Sequence, residues 1–180
     1  MKNTGQNFRV ALILGGARSG KSRYGLSLAA KFPAPRLFVA TGEPGDAEMA
    51  ARIEHHRGQR GPGWDTREAP LNLAEALAAA QGHYRVILVD CLTLWLSNLM
   101  LQDKPEAGIE EDCEHLLRAL EQISTPTVLI SNEVGWGIVP ENPLARAFRD
   151  RTGWLHQRLA RVADLVVLVV AGLPLTIKGG

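Results

Sequence analysis

The chain has 180 residues, of which 46% are hydrophobic, and its 20 basic and 19 acidic residues leave a formal net charge of +1. This length predicts one domain at residues 9–180 behind a polar extension at residues 1–8, and the balanced charge argues against nucleic acid or an anionic membrane as a partner. Because no stretch reaches the roughly 18 apolar residues that span a bilayer, and Cys91 and Cys113 lack disulfide or zinc spacing, we expect a soluble cytoplasmic protein that acts on small molecules.

Five short apolar runs alternate with segments of helical spacing. Runs that are apolar on both faces are typical of buried parallel strands, and these lie at residues 10–14, 37–40, 86–89, 127–130 and 165–170. Between them, residues 92–99 and 144–163 repeat their apolar side chains at helical spacing. The alternation predicts an α/β fold, a mostly parallel sheet with helices on both faces, in which ligands bind at the carboxyl ends of the strands. We expect two loops, residues 58–65 and 132–143, at that edge.

The first apolar run leads into a phosphate-binding loop, or P-loop. Residues 15–22 match the pattern GxxxxGK[ST], follow a predicted strand and precede a helix-compatible segment. Backbone N–H groups of such a loop face nucleotide phosphates, and the helix start adds positive potential. We expect Lys21 to contact the β and γ phosphates and the Ser22 hydroxyl to bind Mg²⁺. The predicted nucleotide-binding residues of the loop are Gly15, Gly16, Ala17, Arg18, Ser19, Gly20, Lys21 and Ser22.

Residues 46–57 have the pattern of an amphipathic helix that ends in two adjacent histidines. At about 100° per residue, His56 shares the apolar face with Met49, whereas His55 lies on another face. Neutral imidazole is a competent nucleophile near neutral pH, so His55 is a candidate catalytic residue. Two alternatives stay open: the histidines interact with the helix dipole, or they form half of a metal site.

A carboxylate ends the third apolar run. Asp90 follows hydrophobic residues 86–89, which is the pattern of a Walker B strand, and it is the candidate second protein ligand of Mg²⁺. Aspartate is also a favoured N-cap residue, so the alternative is that Asp90 caps a helix beginning near Leu92.

The fourth run leads into a long loop that contains polar side chains and several glycines. Its Trp136 suits substrate recognition, although a connecting loop whose tryptophan packs on the core is the alternative. Thr41, at the end of the second run, and Glu68, after a Gly/Pro-rich segment, are weaker candidates for nucleotide contacts.

In their order along the chain, these motifs resemble a known family. The P-loop is followed by Ala40-Thr41, by residues 49–56 with the histidine pair, and by residues 131–135 and 138–142. Together they are similar to the bifunctional adenosylcobinamide kinase/adenosylcobinamide-phosphate guanylyltransferase family of cobalamin biosynthesis. The resemblance covers residues 10–178.

This resemblance implies two successive reactions. A nucleoside triphosphate, ATP or GTP, phosphorylates the aminopropanol hydroxyl of adenosylcobinamide, and GMP then passes from GTP to the new phosphate. A histidine carries GMP as a phosphoramidate, and the motif match puts it on His55. The resemblance also implies a homotrimer, and it extends the nucleotide contacts to Thr41, His56, Arg57, Gly58, Glu68 and Asp90.

Two other functions remain open from the sequence. In a plain P-loop small-molecule kinase, His55 is structural and no covalent nucleotide forms. A RecA-like, nucleotide-switched assembly protein is the other alternative, although the balanced charge argues against one that processes DNA. Glu133 and Asp90 are both candidates for the base of the kinase step.

Overall fold

The computed structural model describes residues 8–42 and 61–179. The predicted helix at residues 46–57, and with it His55, His56, Arg57 and Gly58, lies outside the described residues. The predicted extension is outside them too, apart from Phe8, which is buried and packs edge-on against Phe32 with 5.7 Å between the ring centroids.

A seven-stranded sheet forms the centre of the fold. In chain order its strands are β1 (Val10–Gly15), β2 (Arg36–Ala40), β3 (Trp64–Glu68), β4 (Val86–Asp90), β5 (Thr127–Asn132), β6 (Leu165–Val170) and β7 (Leu173–Lys178). They are arranged as β3-β2-β4-β5-β1-β6-β7, and all pairs are parallel except β6 with β7. The carboxyl ends of β3, β2, β4, β5, β1 and β6 therefore lie along one edge, which we call the carboxyl edge.

Within residues 8–42 and 61–179, five helices cover the two faces of this sheet. They are α1 (Lys21–Ala29), α2 (Leu73–Ala80), α3 (Leu92–Leu101), α4 (Glu106–Gln122) and α5 (Pro143–Val162). Side chains alternate along a strand, so Ala11 and Ile13 pack in the core beneath α1, whereas Val10 and Leu12 pack in the core beneath the other four helices. The predicted α/β fold is confirmed. None of the helices in the described part of the chain is long and apolar enough to cross a membrane.

Two strands and one loop position differ from the prediction. The strands β3 and β7 form the two edges of the sheet, where most of their side chains are exposed and no continuous apolar run is required. The loop at residues 58–65 was expected at the carboxyl edge, but its described part leads into the amino end of β3. There the Arg36 N–H, at the start of β2, donates to the Gly63 carbonyl at 3.1 Å. That expectation was wrong because the strand β3, which the loop enters, was not predicted.

The other predicted loop lies where it was expected. It leaves β5 at the carboxyl edge and ends at the first residue of α5. Asn142 caps this helix, because its side-chain oxygen accepts the N–H groups of Leu144 and Ala145, and Pro143 occupies the first turn. A fixed helix start therefore anchors the far end of the loop.

Candidate active site

The P-loop is the turn between β1 and α1. Arg18 and Gly20 have positive φ angles of 56° and 93°, which let the chain reverse direction between strand and helix. The Ser19 N–H donates to the Gly16 carbonyl at 3.2 Å and closes the turn. Gly20 is the N-cap of α1 and supplies no side-chain cap, so the first N–H groups of the helix are directed to the carboxyl edge. This arrangement suits an anion such as a phosphate.

Two side chains of the loop are suited to phosphate oxygens. Lys21 is only 9% exposed, and its Nζ donates to the Gly16 carbonyl at 3.2 Å, which holds the ammonium group against the loop. The Ser19 Oγ is buried and is the one buried side-chain polar atom without a hydrogen-bond partner among the described residues. A buried hydroxyl of this kind calls for a partner from outside the protein, which a phosphate oxygen or a water supplies.

Asp90 lies on the same edge of the sheet as the P-loop lysine. It is the last residue of β4 and is half-buried. Burial raises the pKa of the neighbouring Cys91 thiol, Asp90 raises it further and Lys21 lowers it, so both charges act on one sulfur. The N-cap of α3 is Cys91 and not Asp90, which argues against the capping alternative.

The oxygen donors at this edge fit a magnesium ion. Ser22 is half-buried in the first turn of α1, a helix that packs on β4 and β5, and Asp90 ends β4. Magnesium is held by one or two protein oxygens together with phosphates and waters. Among the residues with a described position, no group of three or more His, Cys, Asp or Glu side chains forms a cage for a metal. A hydroxyl and one carboxylate beside a phosphate site is the donor set expected for nucleotide-bound magnesium.

Thr41 connects the end of β2 to the start of α3. Its Oγ1 accepts the Cys91 N–H at 2.8 Å and donates to the Cys91 carbonyl at 2.7 Å, and the residue is fully buried. Asn98 fixes the same strand end by donating to the Thr41 carbonyl at 2.7 Å. The hydroxyl thus holds two elements together, and a nucleotide contact at this position remains a prediction.

In the described part of the structure, Glu68 lies far from the P-loop. It ends the edge strand β3, four strands from β1, which is about 19 Å at the usual spacing between strands. It lies beside a separate open cleft of about 370 Å³ at the carboxyl end of β3. Its predicted nucleotide contact also remains a prediction.

A larger cleft of about 450 Å³ opens beside the P-loop. One wall is the P-loop itself, a second is the loop after β5 with Glu133 and Trp136, and the third is the end of β6 with Ala171. The Glu133 carboxylate accepts the Gly135 N–H at 2.7 Å, and Trp136 is 75% exposed, so the packed alternative for this tryptophan is wrong. We call this space the Trp136 cleft.

The walls of the Trp136 cleft are fixed to one another by backbone hydrogen bonds. The Glu133 N–H donates to the Gly15 carbonyl at 3.0 Å, and the Gly172 N–H, in the turn between β6 and β7, donates to the Ser19 carbonyl at 2.8 Å. Ala171 and Gly172 both have positive φ angles, as a tight hairpin turn requires. The P-loop therefore forms one structural unit with the two walls that face it.

Comparison with known proteins assigns this chain to a family. The family model described as cobinamide kinase/cobinamide phosphate guanyltransferase matches residues 11–177. The chain is 46% identical over 168 residues to the bifunctional adenosylcobalamin biosynthesis protein CobP of Pseudomonas aeruginosa, covering 93% of this chain and 96% of that protein. It is 41% identical over 179 residues to the CobU protein of Salmonella typhimurium, covering 93% and 98%. The chain belongs to the cobinamide kinase/cobinamide phosphate guanyltransferase family.

This membership confirms the family that the order of motifs indicated. It also confirms the enzyme class, because a family with kinase and guanylyltransferase activities consists of transferases. Nucleotide and corrinoid substrates both fit the family.

Solved structures with a similar fold share little sequence with this family member. The flagellar accessory protein FlaH from Methanocaldococcus jannaschii superposes with a TM-score of 0.53 at 12% identity, covering 96% of this chain and 79% of that one. An ATPase of a bacterial type III secretion system gives a TM-score of 0.58 at 9% identity, covering 93% and 56%. The likeness confirms the P-loop α/β fold and, at this identity, shows the fold alone.

One residue beside the site, His156, was not predicted from the sequence. His156 of α5 is buried, its Nε2 lies 2.7 Å from the Ser131 Oγ, and its Nδ1 lies 3.8 Å from the Glu133 Oε2. A signal was present, because His156 belongs to the buried stripe of α5 that is otherwise formed by Thr152, Leu155 and Leu159. A histidine within such a stripe, on a helix that follows a polar loop, indicates a buried polar contact.

Proposed function

We propose that this chain phosphorylates the hydroxyl of cobinamide in the Trp136 cleft and then transfers GMP from GTP to the new phosphate through a covalent GMP–histidine on His55. The observation that carries the kinase half is that a carboxylate, the P-loop and an open cleft meet at one point. Family membership supports the pair of activities, and the residue roles below are proposals from geometry and sequence.

The P-loop holds the nucleoside triphosphate for the kinase step. Lys21 places its positive charge against the phosphates, and the N–H groups at the start of α1 add hydrogen bonds to the same oxygens. Ser22 and Asp90 are the proposed ligands of Mg²⁺, which would neutralise charge on the β and γ phosphates. The P-loop and the proposed metal ligands all act on the phosphates. The acceptor hydroxyl is therefore bound by a different wall of the site.

Glu133 is the proposed base of the kinase step, and Asp90 is assigned to the metal. The Glu133 carboxylate lines the Trp136 cleft next to the outer side of the P-loop, where an acceptor hydroxyl can approach the γ-phosphate. As the hydroxyl oxygen forms its bond to the γ-phosphorus, its proton passes to the carboxylate. The bond from that phosphorus to the bridging oxygen breaks, and the nucleoside diphosphate leaves.

The acceptor is proposed to enter past Trp136. Several large apolar side chains are exposed along the loop after β5 and in the first turn of α5, namely Trp136, Ile138, Val139 and Leu144. An apolar surface of this kind beside a polar cleft suits a large ring system that presents one hydroxyl to the site. The corrin ring would lie on the loop while its aminopropanol arm reaches Glu133.

The guanylyl half is proposed to use His55. A neutral imidazole nitrogen attacks the α-phosphorus of GTP and pyrophosphate leaves, after which an oxygen of cobinamide phosphate attacks the same phosphorus and the bond to nitrogen breaks. His55 is 13 positions after Gly42, which follows β2 at the carboxyl edge, so the chain is long enough to bring it to the nucleotide.

A labelling experiment tests the covalent step. The purified protein is incubated with GTP labelled on the α-phosphate, denatured, and assayed for bound label after treatment with acid or base. We expect label that is lost in acid and kept in base, present in His56→Ala and absent from His55→Ala. Absence of acid-labile label from the wild-type protein would favour a plain kinase, and label retained by His55→Ala would assign the nucleophile elsewhere.

The proposal also covers assembly and compartment. The family resemblance suggests a homotrimer, which mass measurement by light scattering tests directly. The cytoplasm fits the nucleotide substrates and the two cysteines, Cys91 and Cys113, both of which are free thiols.

A further inference from the structure

The loop residue Glu133 is in contact with a buried chain of polar groups that the family comparison does not explain. His156 projects from α5 toward the end of β5, where its Nε2 lies 2.7 Å from the Ser131 Oγ and its Nδ1 lies 3.8 Å from the Glu133 Oε2. Ser131 is fully buried and His156 is 7% exposed, whereas the Glu133 side chain is 21% exposed and faces the cleft. The buried pair thus lies directly behind a carboxylate that solvent and substrate reach.

The chemistry of the three groups determines where the histidine proton lies. Burial lowers the pKa of His156 below its ordinary value of 6.5, and Glu133 opposes this shift, so the ring is neutral at neutral pH. A neutral imidazole has one N–H and one bare nitrogen, and a bare Nδ1 facing a carboxylate would be repelled. The favoured arrangement has the Ser131 hydroxyl donating to Nε2 and the Nδ1–H directed to Glu133.

A Ser-His-Glu set invites comparison with hydrolase triads, but its geometry differs from theirs. In a triad the serine is exposed to substrate and the carboxylate is buried behind the histidine. Here Ser131 is the buried member, and Glu133 is the one that lines the cleft. The order is reversed, so the serine orients the ring and the ring acts on the carboxylate.

We propose that His156 is a positioning residue for Glu133: anchored by Ser131, its Nδ1–H directs one carboxylate oxygen of Glu133 to the acceptor in the Trp136 cleft. The other oxygen is held by the Gly135 N–H. The Gly135 N–H forms a hydrogen bond to Oε1, and the Nδ1–H acts on Oε2 electrostatically across 3.8 Å, so the two donors favour one orientation of the carboxylate. This inference rests on the proposed role of Glu133 as the kinase base.

Two amide substitutions at position 156 distinguish the roles of the two ring nitrogens. Glutamine places its amide near the Nε2 position and keeps a partner for Ser131, whereas asparagine places its amide near the Nδ1 position and keeps a donor for Glu133. Cobinamide phosphorylation and GMP transfer to added cobinamide phosphate are measured separately for both variants. His115→Gln, which changes an exposed histidine of α4, is the control, and urea unfolding reports whether each variant is folded.

We expect kinase kcat to fall about 10-fold in His156→Gln with little change in the KM of the nucleotide, because the polar group that orients the charged carboxylate is lost. His156→Asn should retain most of the wild-type kcat. Both variants should keep the wild-type rate of GMP transfer. Equal kinase losses in the two variants, or parallel losses of both activities, would assign His156 a packing role and overturn the inference.

A double-mutant comparison separates an effect that acts through Glu133 from a general loss of folded protein. In a Glu133→Gln background, His156→Gln should cause no further fall in kinase rate, because the group through which it acts is already changed. The same fall in both backgrounds contradicts the inference. If Glu133→Gln alone keeps full kinase activity, Glu133 is not the base of the kinase step. If Glu133→Gln loses kinase activity but His156→Gln keeps the wild-type kinase rate, only the positioning role of His156 is refuted.

Discussion

The Glu133 N–H donates to the Gly15 carbonyl at 3.0 Å, which joins the loop after β5 to the first residue of the P-loop. The bond continues the parallel pairing of β1 with β5, in which Gly15 lies opposite Asn132. The acceptor side and the phosphate side of the site are therefore extensions of two adjacent strands. A small shift of either strand would move the proposed base relative to the phosphates, so the rigid sheet sets their spacing.

Replacement of Lys21 by alanine should nearly abolish phosphoryl transfer. The ammonium group is buried against the P-loop, and backbone N–H groups alone do not replace its charge. We expect a loss of about 10²-fold or more in kinase rate, which corresponds to about 3 kcal/mol of transition-state stabilisation. Lys31→Ala, an exposed position beyond the end of α1, is the control and should have the wild-type rate. A Lys21→Ala variant with near-native rate would refute the phosphate-binding role.

Substitution of Asp90 by asparagine tests the magnesium site. The amide keeps the size of the side chain but loses the charge that a hard cation requires. We expect the Mg²⁺ concentration for half-maximal kinase activity to rise and the maximal rate to fall, as measured in a magnesium titration at fixed nucleotide. Unchanged rate and unchanged magnesium dependence would leave Asp90 without a role in metal binding.

Loss of the Trp136 side chain should weaken corrinoid binding selectively. Because Trp136 is exposed at the mouth of the cleft, its removal should cost little stability but about 10-fold in the KM for cobinamide, with the KM for nucleotide unchanged. Trp154→Ala is a matched control, since Trp154 is 61% exposed on α5 and lines a different groove. A rise in the nucleotide KM alone would show that the cleft holds the nucleobase.

The buried histidine should make stability depend on pH. The folded-state pKa of His156 lies below its ordinary value of 6.5, so the unfolded chain binds more protons in the acidic range. The contribution of this group is fully present above about pH 6.5 and is lost as pH falls through the lower folded-state value. Urea midpoints at pH 7.5 and pH 5.5 should differ more in the wild-type protein than in His156→Gln. Equal pH dependence of the two proteins would contradict the shift.

The five predicted strands are the five inner strands of the sheet, and the two that were missed are its edges. Inner strands of a parallel sheet are buried on both faces, so their sequences are continuous apolar runs. The strand β3 reads Trp-Asp-Thr-Arg-Glu, and β7 contains Pro174 among exposed residues, so neither has that pattern. Proline is tolerated at a sheet edge, where a ladder hydrogen bond is not required.

The parts of the candidate site that belong to a short sequence motif could be predicted from the sequence. The P-loop and Asp90 are each local patterns of strand, turn and side chain, and the structure brings them to one edge. The contact between His156 and Glu133 joins residues 23 positions apart on a helix and a loop, and its geometry depends on how α5 packs against β5. Sequence spacing does not predict that packing. The one signal in the sequence is that His156 is a polar residue within the buried stripe of α5.

We propose that this chain performs its two reactions with two different catalytic side chains, Glu133 for the kinase step and His55 for GMP transfer. The most direct test is to separate the products formed from cobinamide with ATP and GTP by wild type, Glu133→Gln and His55→Ala. We predict that Glu133→Gln makes cobinamide phosphate about 10²-fold more slowly but converts added cobinamide phosphate to cobinamide-GDP normally. His55→Ala should accumulate cobinamide phosphate without cobinamide-GDP. If either substitution blocks both reactions, or if His55→Ala still makes cobinamide-GDP, the two side chains do not divide the chemistry in this way.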